Sequence, residues 1–142
     1  MSEFAGSALI DRPIDEVWRF ISDPGSAPVW GRGVSDVAIT SNGPIGLGTT
    51  LGLSMSGSKM EGRMIRYEPD KTFTLEFTSG PVRGSKLTYS VEAVGDKTRL
   101  STDLELRLAG FWKLTYPILK RRRIRDRDLS VTNVKRILEA HA

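Results

Sequence analysis

Ile10-Asp11-Arg12-Pro13-Ile14-Asp15-Glu16-Val17-Trp18 is where the chain changes its hydrophobic period, and that change decides the fold. Before it, Phe4, Gly6, Ala8 and Ile10 alternate with Ala5, Ser7 and Leu9, the two-residue period of a strand with small side chains. Within it, Asp11 stands where a helix cap belongs, and Pro13 suits a first helical turn. Val17, Phe20 and Ile21 follow at i, i+3, i+4 spacing, which predicts a short helix. Asp23-Pro24-Gly25 stops it. Ser26 to Trp30 reads as a second short helix or turn, closed by Gly31 and Gly33.

Working outward, about ninety residues of alternating, turn-punctuated sequence come next. Val34 to Thr40 and Thr49 to Met55 read as strands around the turn Ser41-Asn42-Gly43-Pro44. Lys59 to Tyr67 follows Ser56-Gly57-Ser58. Its face is ambiguous, because Met60, Met64, Ile65 and Tyr67 do not share one parity. Phe73, Leu75 and Phe77 alternate with Thr72, Thr74 and Glu76. Leu87, Tyr89 and Val91 do the same, and after Gly95-Asp96 so do Leu100, Leu104, Leu106 and Leu108. Short turns between strands imply an antiparallel meander. From Ile118 to about Glu139 helix formers dominate, with Pro117 starting or kinking that helix. A bent sheet around one terminal helix can leave a cavity, and residues 1–142 read as a single domain.

Composition excludes much. The 142 residues contain no cysteine, which removes thiolate catalysis and cysteine zinc sites and suits a reducing, cytoplasmic setting. The one histidine is His141, so a histidine triad or metal cluster is not expected. No apolar run is long enough to span a membrane, and no signal peptide is read at Met1-Ser2-Glu3-Phe4. The net charge of +4 sits in Lys120 to Asp128, leaving 15 basic and 15 acidic residues elsewhere. That is not the spread footprint of a nucleic-acid binder. Gly43-Pro44-Ile45-Gly46-Leu47-Gly48 lacks a following Gly-Lys-Ser/Thr and a helix, so it is no phosphate cradle. No metal or other cofactor is expected.

Ile10-x-x-Pro13-x-x-x-Val17-Trp18-x-x-Ile21-x-Asp23, Trp30, Gly46-x-Gly48-Thr49, Tyr67-Glu68-Pro69, Gly95-Asp96-x-Thr98-Arg99 and Arg136-Ile137-Leu138-Glu139 occur in an order that resembles the START-like (SRPBCC, Bet v 1-like) superfamily, and within it the polyketide cyclase/dehydrase branch. The resemblance implies an α+β helix-grip fold. In it a curved seven-stranded antiparallel sheet surrounds a long C-terminal helix, with two short helices after the first strand. It is less specific for function, because the superfamily includes carriers, cyclases and chaperone partners. No catalytic motif transfers residue by residue.

The concave face should carry Leu51, Leu53, Met55, Phe73, Leu75, Phe77, Leu87, Tyr89, Leu104 and Leu106, with Met64, a flexible filler on the strand of ambiguous face, and Thr102 as further ligand-binding candidates. Trp112, Tyr116 and Leu119 would face it from the helix, and Trp30 would stand near the mouth. Such a lining binds an apolar molecule by removing its surface from water, at about 25 cal/mol per Å², with the Tyr89 and Thr102 hydroxyls orienting it. The same residues also suit an ordinary core. Glu76, Glu92, Asp103 and Glu105 alternate with apolar residues and should face solvent, which argues against paired acid–base catalysis. Lys120, Arg121, Arg122 and Arg123 read first as a solvated helix face, partly neutralised by Asp126 and Asp128. Contact with an anionic membrane is the alternative. The leading expectation is carriage of a small hydrophobic molecule, lipid or polyketide-like. A cyclase or dehydrase using the same cavity is the second. An interaction module built on the basic helix is the third.

Overall fold

A computed structural model describes residues 4–23, 26, 34–55, 58–79, 83–105 and 131–140. β1 (Phe4–Ile10) leads into α1 (Ile14–Ile21). The chain then forms β2 (Val34–Ile39), β3 (Thr50–Met55), β4 (Ser58–Glu68), β5 (Thr72–Phe77), β6 (Lys86–Val94) and β7 (Lys97–Glu105). A helix over 131–140, α2 here, closes the described chain. The strands make one antiparallel sheet in the order β1-β7-β6-β5-β4-β3-β2. After α1 the chain reaches the far edge at β2, then meanders back until β7 lies beside β1. The seven strands match the reading of the sequence. α2 falls inside the expected terminal helix, whose earlier part lies outside the described residues. Of the two short helices only α1 is described, since Trp30 and its neighbours lie outside.

Asp11 does not cap α1. Pro13 occupies the N-cap at φ −68° and ψ 155°, with no side-chain cap bond. The proline ring fixes φ and needs no N–H partner, and Asp15 and Glu16 in the first turn oppose the helix dipole. Asp11 is occupied elsewhere. Its N–H donates to Glu139 Oε2 at 2.8 Å, and Lys135 Nζ donates to the same oxygen at 2.7 Å. Lys135 also reaches Leu9 O at 2.8 Å, and Arg12 Nη2 reaches Glu139 O at 3.2 Å. This clasp seats α2 against the β1–α1 corner. The hydrogen bond from Lys135, then that from the Asp11 N–H, holds the Glu139 carboxyl below the ordinary carboxylate range.

The parity conflict in β4 has a structural cause. Met64 pairs with Leu75 and Arg66 with Thr74, so Ile65 is an extra residue in a bulge. Met60, Gly62 and Met64 therefore share a face, and Tyr67 rejoins it beyond the bulge. At Gly62 a Cβ would come within 3.0 Å of Leu75 Cδ1. The leucine thus fills the room that glycine leaves.

Two apolar clusters occupy the inner face. The first joins Ile10, Met64, Phe73, Tyr89, Val91 and Leu100 of the sheet to Val17, Trp18 and Ile21 of α1 and Val131, Val134 and Leu138 of α2. The second consists of Leu51, Leu53, Met60, Leu75 and Phe77. Leu87 touches both.

Candidate functional site

The strand register assembles the inner face row by row. Gly6, Thr102, Tyr89, Phe73 and Tyr67 lie side by side across β1, β7, β6, β5 and β4. The next row runs from Leu104 through Leu87 and Leu75 to Met64, and Leu51, Gly62 and Phe77 continue toward β3. Of the residues expected on this face, Leu51, Leu53, Met64, Phe73, Leu75, Phe77, Tyr89, Thr102 and Leu104 are buried. Leu87 is half-buried. Met55 ends β3, but its side chain falls outside the described set, as do Trp30, Leu106, Trp112, Tyr116, Leu119 and the basic residues Lys120 to Arg123.

Trp18 was not among the expected site residues, yet it lies against this face. Its ring meets Tyr67 at 5.6 Å and Phe73 at 5.9 Å, edge to face, and Phe73 meets Tyr89 at 5.6 Å. The signal was present in Ile14, Val17, Trp18 and Ile21, a better helical stripe than Val17, Phe20 and Ile21. Phe20 is only half-buried. Met60, on the strand whose face the sequence leaves ambiguous, joins the second cluster.

The two clusters differ in which described elements meet in them. Ile10, Val17, Leu100 and Val134 at the centre of the first are 0 % exposed, while Phe73, Val91 and Leu138 at its margin keep 7–8 %, within the range of the second cluster's 3–8 %. Among the described residues, no helical side chain joins the second cluster. Among the described residues, packing there is strand against neighbouring strand.

The polar groups sort by face. Glu92 and Glu105 are exposed, and Glu76 is paired with Arg63 at 3.8 Å. Arg63, Glu76, Lys86 and Glu105 form one outer row of alternating charge. Asp103 departs from the expectation of full solvation: it is half-buried on that outer side, and its Oδ1 has no hydrogen-bond partner among the described residues. Thr102 on the inner face is 2 % exposed, and its Oγ1 also lacks a partner among them. An outer groove of about 490 Å³ lies over Ala38 and Gly52, walled by Asp36, Thr40, Lys59 and Glu61. Its charged walls do not suit an apolar guest. Among the described residues there is no group of three potential metal ligands, and no helix is long and apolar enough to cross a membrane.

This architecture can be set beside known proteins. A family model described as "Polyketide cyclase / dehydrase and lipid transport" matches residues 1–139. The chain belongs to that family. Among solved structures, this family member is similar to a START superfamily protein from Mycobacterium smegmatis, with a TM-score of 0.81, 13 % identity and 97 % of each chain covered. A protein from Thermus thermophilus gives a TM-score of 0.77 at 16 % identity, covering 98 % of this chain and 99 % of that one. The di-domain ARO/CYC BexL from the BE-7585A biosynthetic pathway gives 0.67 at 15 % identity, covering 95 % of this chain and 45 % of that one. These likenesses establish a START-like fold. No curated protein matches the chain by sequence.

Proposed function

We propose that this START-like, polyketide cyclase-branch domain binds a small hydrophobic molecule against the inner face of β3, β4 and β5, and carries it without transforming it. The observation that carries this reading is the second cluster. Leu51, Leu53, Met60, Leu75 and Phe77 form a continuous apolar floor that no described helix presses on, and each keeps a few per cent of its surface accessible. An apolar guest covering that floor gains about 25 cal/mol for each Å² removed from water. Met60 lends the floor an unbranched, adaptable surface. In this reading α2 is the end of a longer helix starting near Ile118, which roofs the chamber, and Trp112 and Tyr116 line it from above.

Carriage is favoured over cyclase chemistry by the placement of the acids. Glu76, Glu92, Asp103 and Glu105 all point to the outer side of the sheet, away from the floor. Proton transfer in the chamber would then fall to hydroxyls such as that of Tyr89, with no carboxylate of this set beside them.

Native mass spectrometry of gently purified protein tests the reading. The expected result is an added mass that organic extraction removes and that Leu53→Trp, which fills the floor, prevents from binding. A folded protein that retains no guest and takes up no hydrophobic fluorophore overturns it.

A further inference from the structure

We infer that the guest carries a hydroxyl or carbonyl oxygen on its buried part, and that Thr102 is the residue that selects for it. This rests on the binding reading above and adds the chemical class of the molecule. Thr102 stands on the inner face between Tyr89 of β6 and Gly6 of β1. Along β7 its neighbours on that face, Leu100 and Leu104, are buried and apolar. Its own side chain is 2 % exposed, and its hydroxyl has no partner among the described residues.

Other threonine hydroxyls of this sheet are satisfied. Thr98 donates to Arg12 O at 2.8 Å and Thr72 to Tyr89 O at 3.0 Å. Thr74 pairs with Thr88 at 2.9 Å, and Thr40 with Thr50 at 2.8 Å. Thr102 is the exception among them. A buried hydroxyl without a partner destabilises the fold, and valine would fill the same volume without that cost. The hydroxyl gains a partner if a bound molecule supplies one. Gly6, opposite Thr102 on β1, has no side chain that could supply that partner.

This arrangement discriminates between guests. A methylene chain entering tail-first would leave Thr102 unpaired, as would a plain hydrocarbon. A phenol, alcohol or ketone would pair with it. Selection through an otherwise unpaired buried group is stronger than an apolar wall achieves by shape. The class is therefore an apolar molecule that reaches from the floor across β6 and bears an oxygen at the end beside β7.

The test compares 2-naphthol with 2-methylnaphthalene, which differ by a hydroxyl in place of a methyl, titrated into ligand-stripped wild type, Thr102→Val and Thr102→Ser. Thr102→Val is expected to weaken 2-naphthol about tenfold and to leave 2-methylnaphthalene unchanged. Thr102→Ser is expected to retain the wild-type preference. Without ligand, Thr102→Val is expected to unfold at a higher temperature than wild type. Equal effects of Thr102→Val on the two probes, or a lower unfolding temperature without ligand, overturn the role of Thr102 and leave the apolar floor standing. Failure of both probes to bind wild type overturns the floor itself, and the inference with it.

Discussion

At the corner where β1 meets α1, Val17, Val131 and Val134 pack with Leu100 and Val91, and most of these side chains are sealed from solvent. At the opposite corner Leu51, Leu53, Met60, Leu75 and Phe77 touch one another, with no described helix among them. The residue types are alike, so composition does not distinguish the corners. What differs is the set of described elements. Two helices pack on the sheet at the first corner, and among the described residues only strand neighbours meet at the second. An apolar side chain closed from both sides holds the fold, and one closed from a single side is available to a guest.

The largest expected effect bears directly on that contrast. Leu100→Ala should lower the unfolding free energy by about 4 kcal/mol, measured by urea titration, because the cavity it leaves is walled by helices that cannot collapse into it. Leu53→Ala should cost about 2 kcal/mol and should weaken retention of the guest, read by native mass spectrometry. Equal losses at the two sites would break the comparison and make the second corner ordinary core. Gly62→Ala comes next, at about 1.5 kcal/mol, because its new methyl meets Leu75. In a Leu75→Ala background the same change should be nearly neutral, which sharpens the view that the floor is shaped by this one close approach.

The smallest effect concerns the clasp that fastens the first corner. The Glu139 carboxyl titrates below its unfolded range because it is hydrogen-bonded and ion-paired in the folded state. Its contribution is therefore complete above the ordinary carboxylate range and is lost as pH falls through the lowered value. The melting temperature of Glu139→Gln should lie below wild type near neutrality, and the gap should close in acid. A gap independent of pH would show that the carboxylate charge plays no part in seating α2.

Much of the sheet was legible because Phe73 to Phe77 and Leu87 to Val91 alternate without interruption, and an uninterrupted strand has only one inner face. β4 was not legible. The bulge at Ile65 shifts the parity by one residue, and a bulge set by pairing with β5 has no local signature. Asp11 was misread for a related reason. Capping rules weigh neighbours in sequence, whereas its N–H is claimed by Glu139, 128 positions away. Trp18 was missed because the helical stripe was drawn through Phe20. On the inner face, alternation located Leu51, Leu53, Phe73, Leu75, Phe77, Tyr89 and Thr102. It could not reveal which of them are covered by a second layer, because that depends on helices placed by distant contacts.

The Glu139–Asp11 contact also bears on how the protein is made. Phe4–Ile10 is synthesised before the other strands of the sheet, but its pairing partner is β7 and its corner is fastened by residues 135 and 139. The hairpins from β2 to β7 can assemble in the order they emerge. β1 has to wait with its edge unpaired until β7 and α2 have been synthesised. Joining of β1 to β7 and α2 is thus the closing event of this sheet's folding, and the interval before it is when the nascent polypeptide is most open to capture by a chaperone or by another unfinished copy.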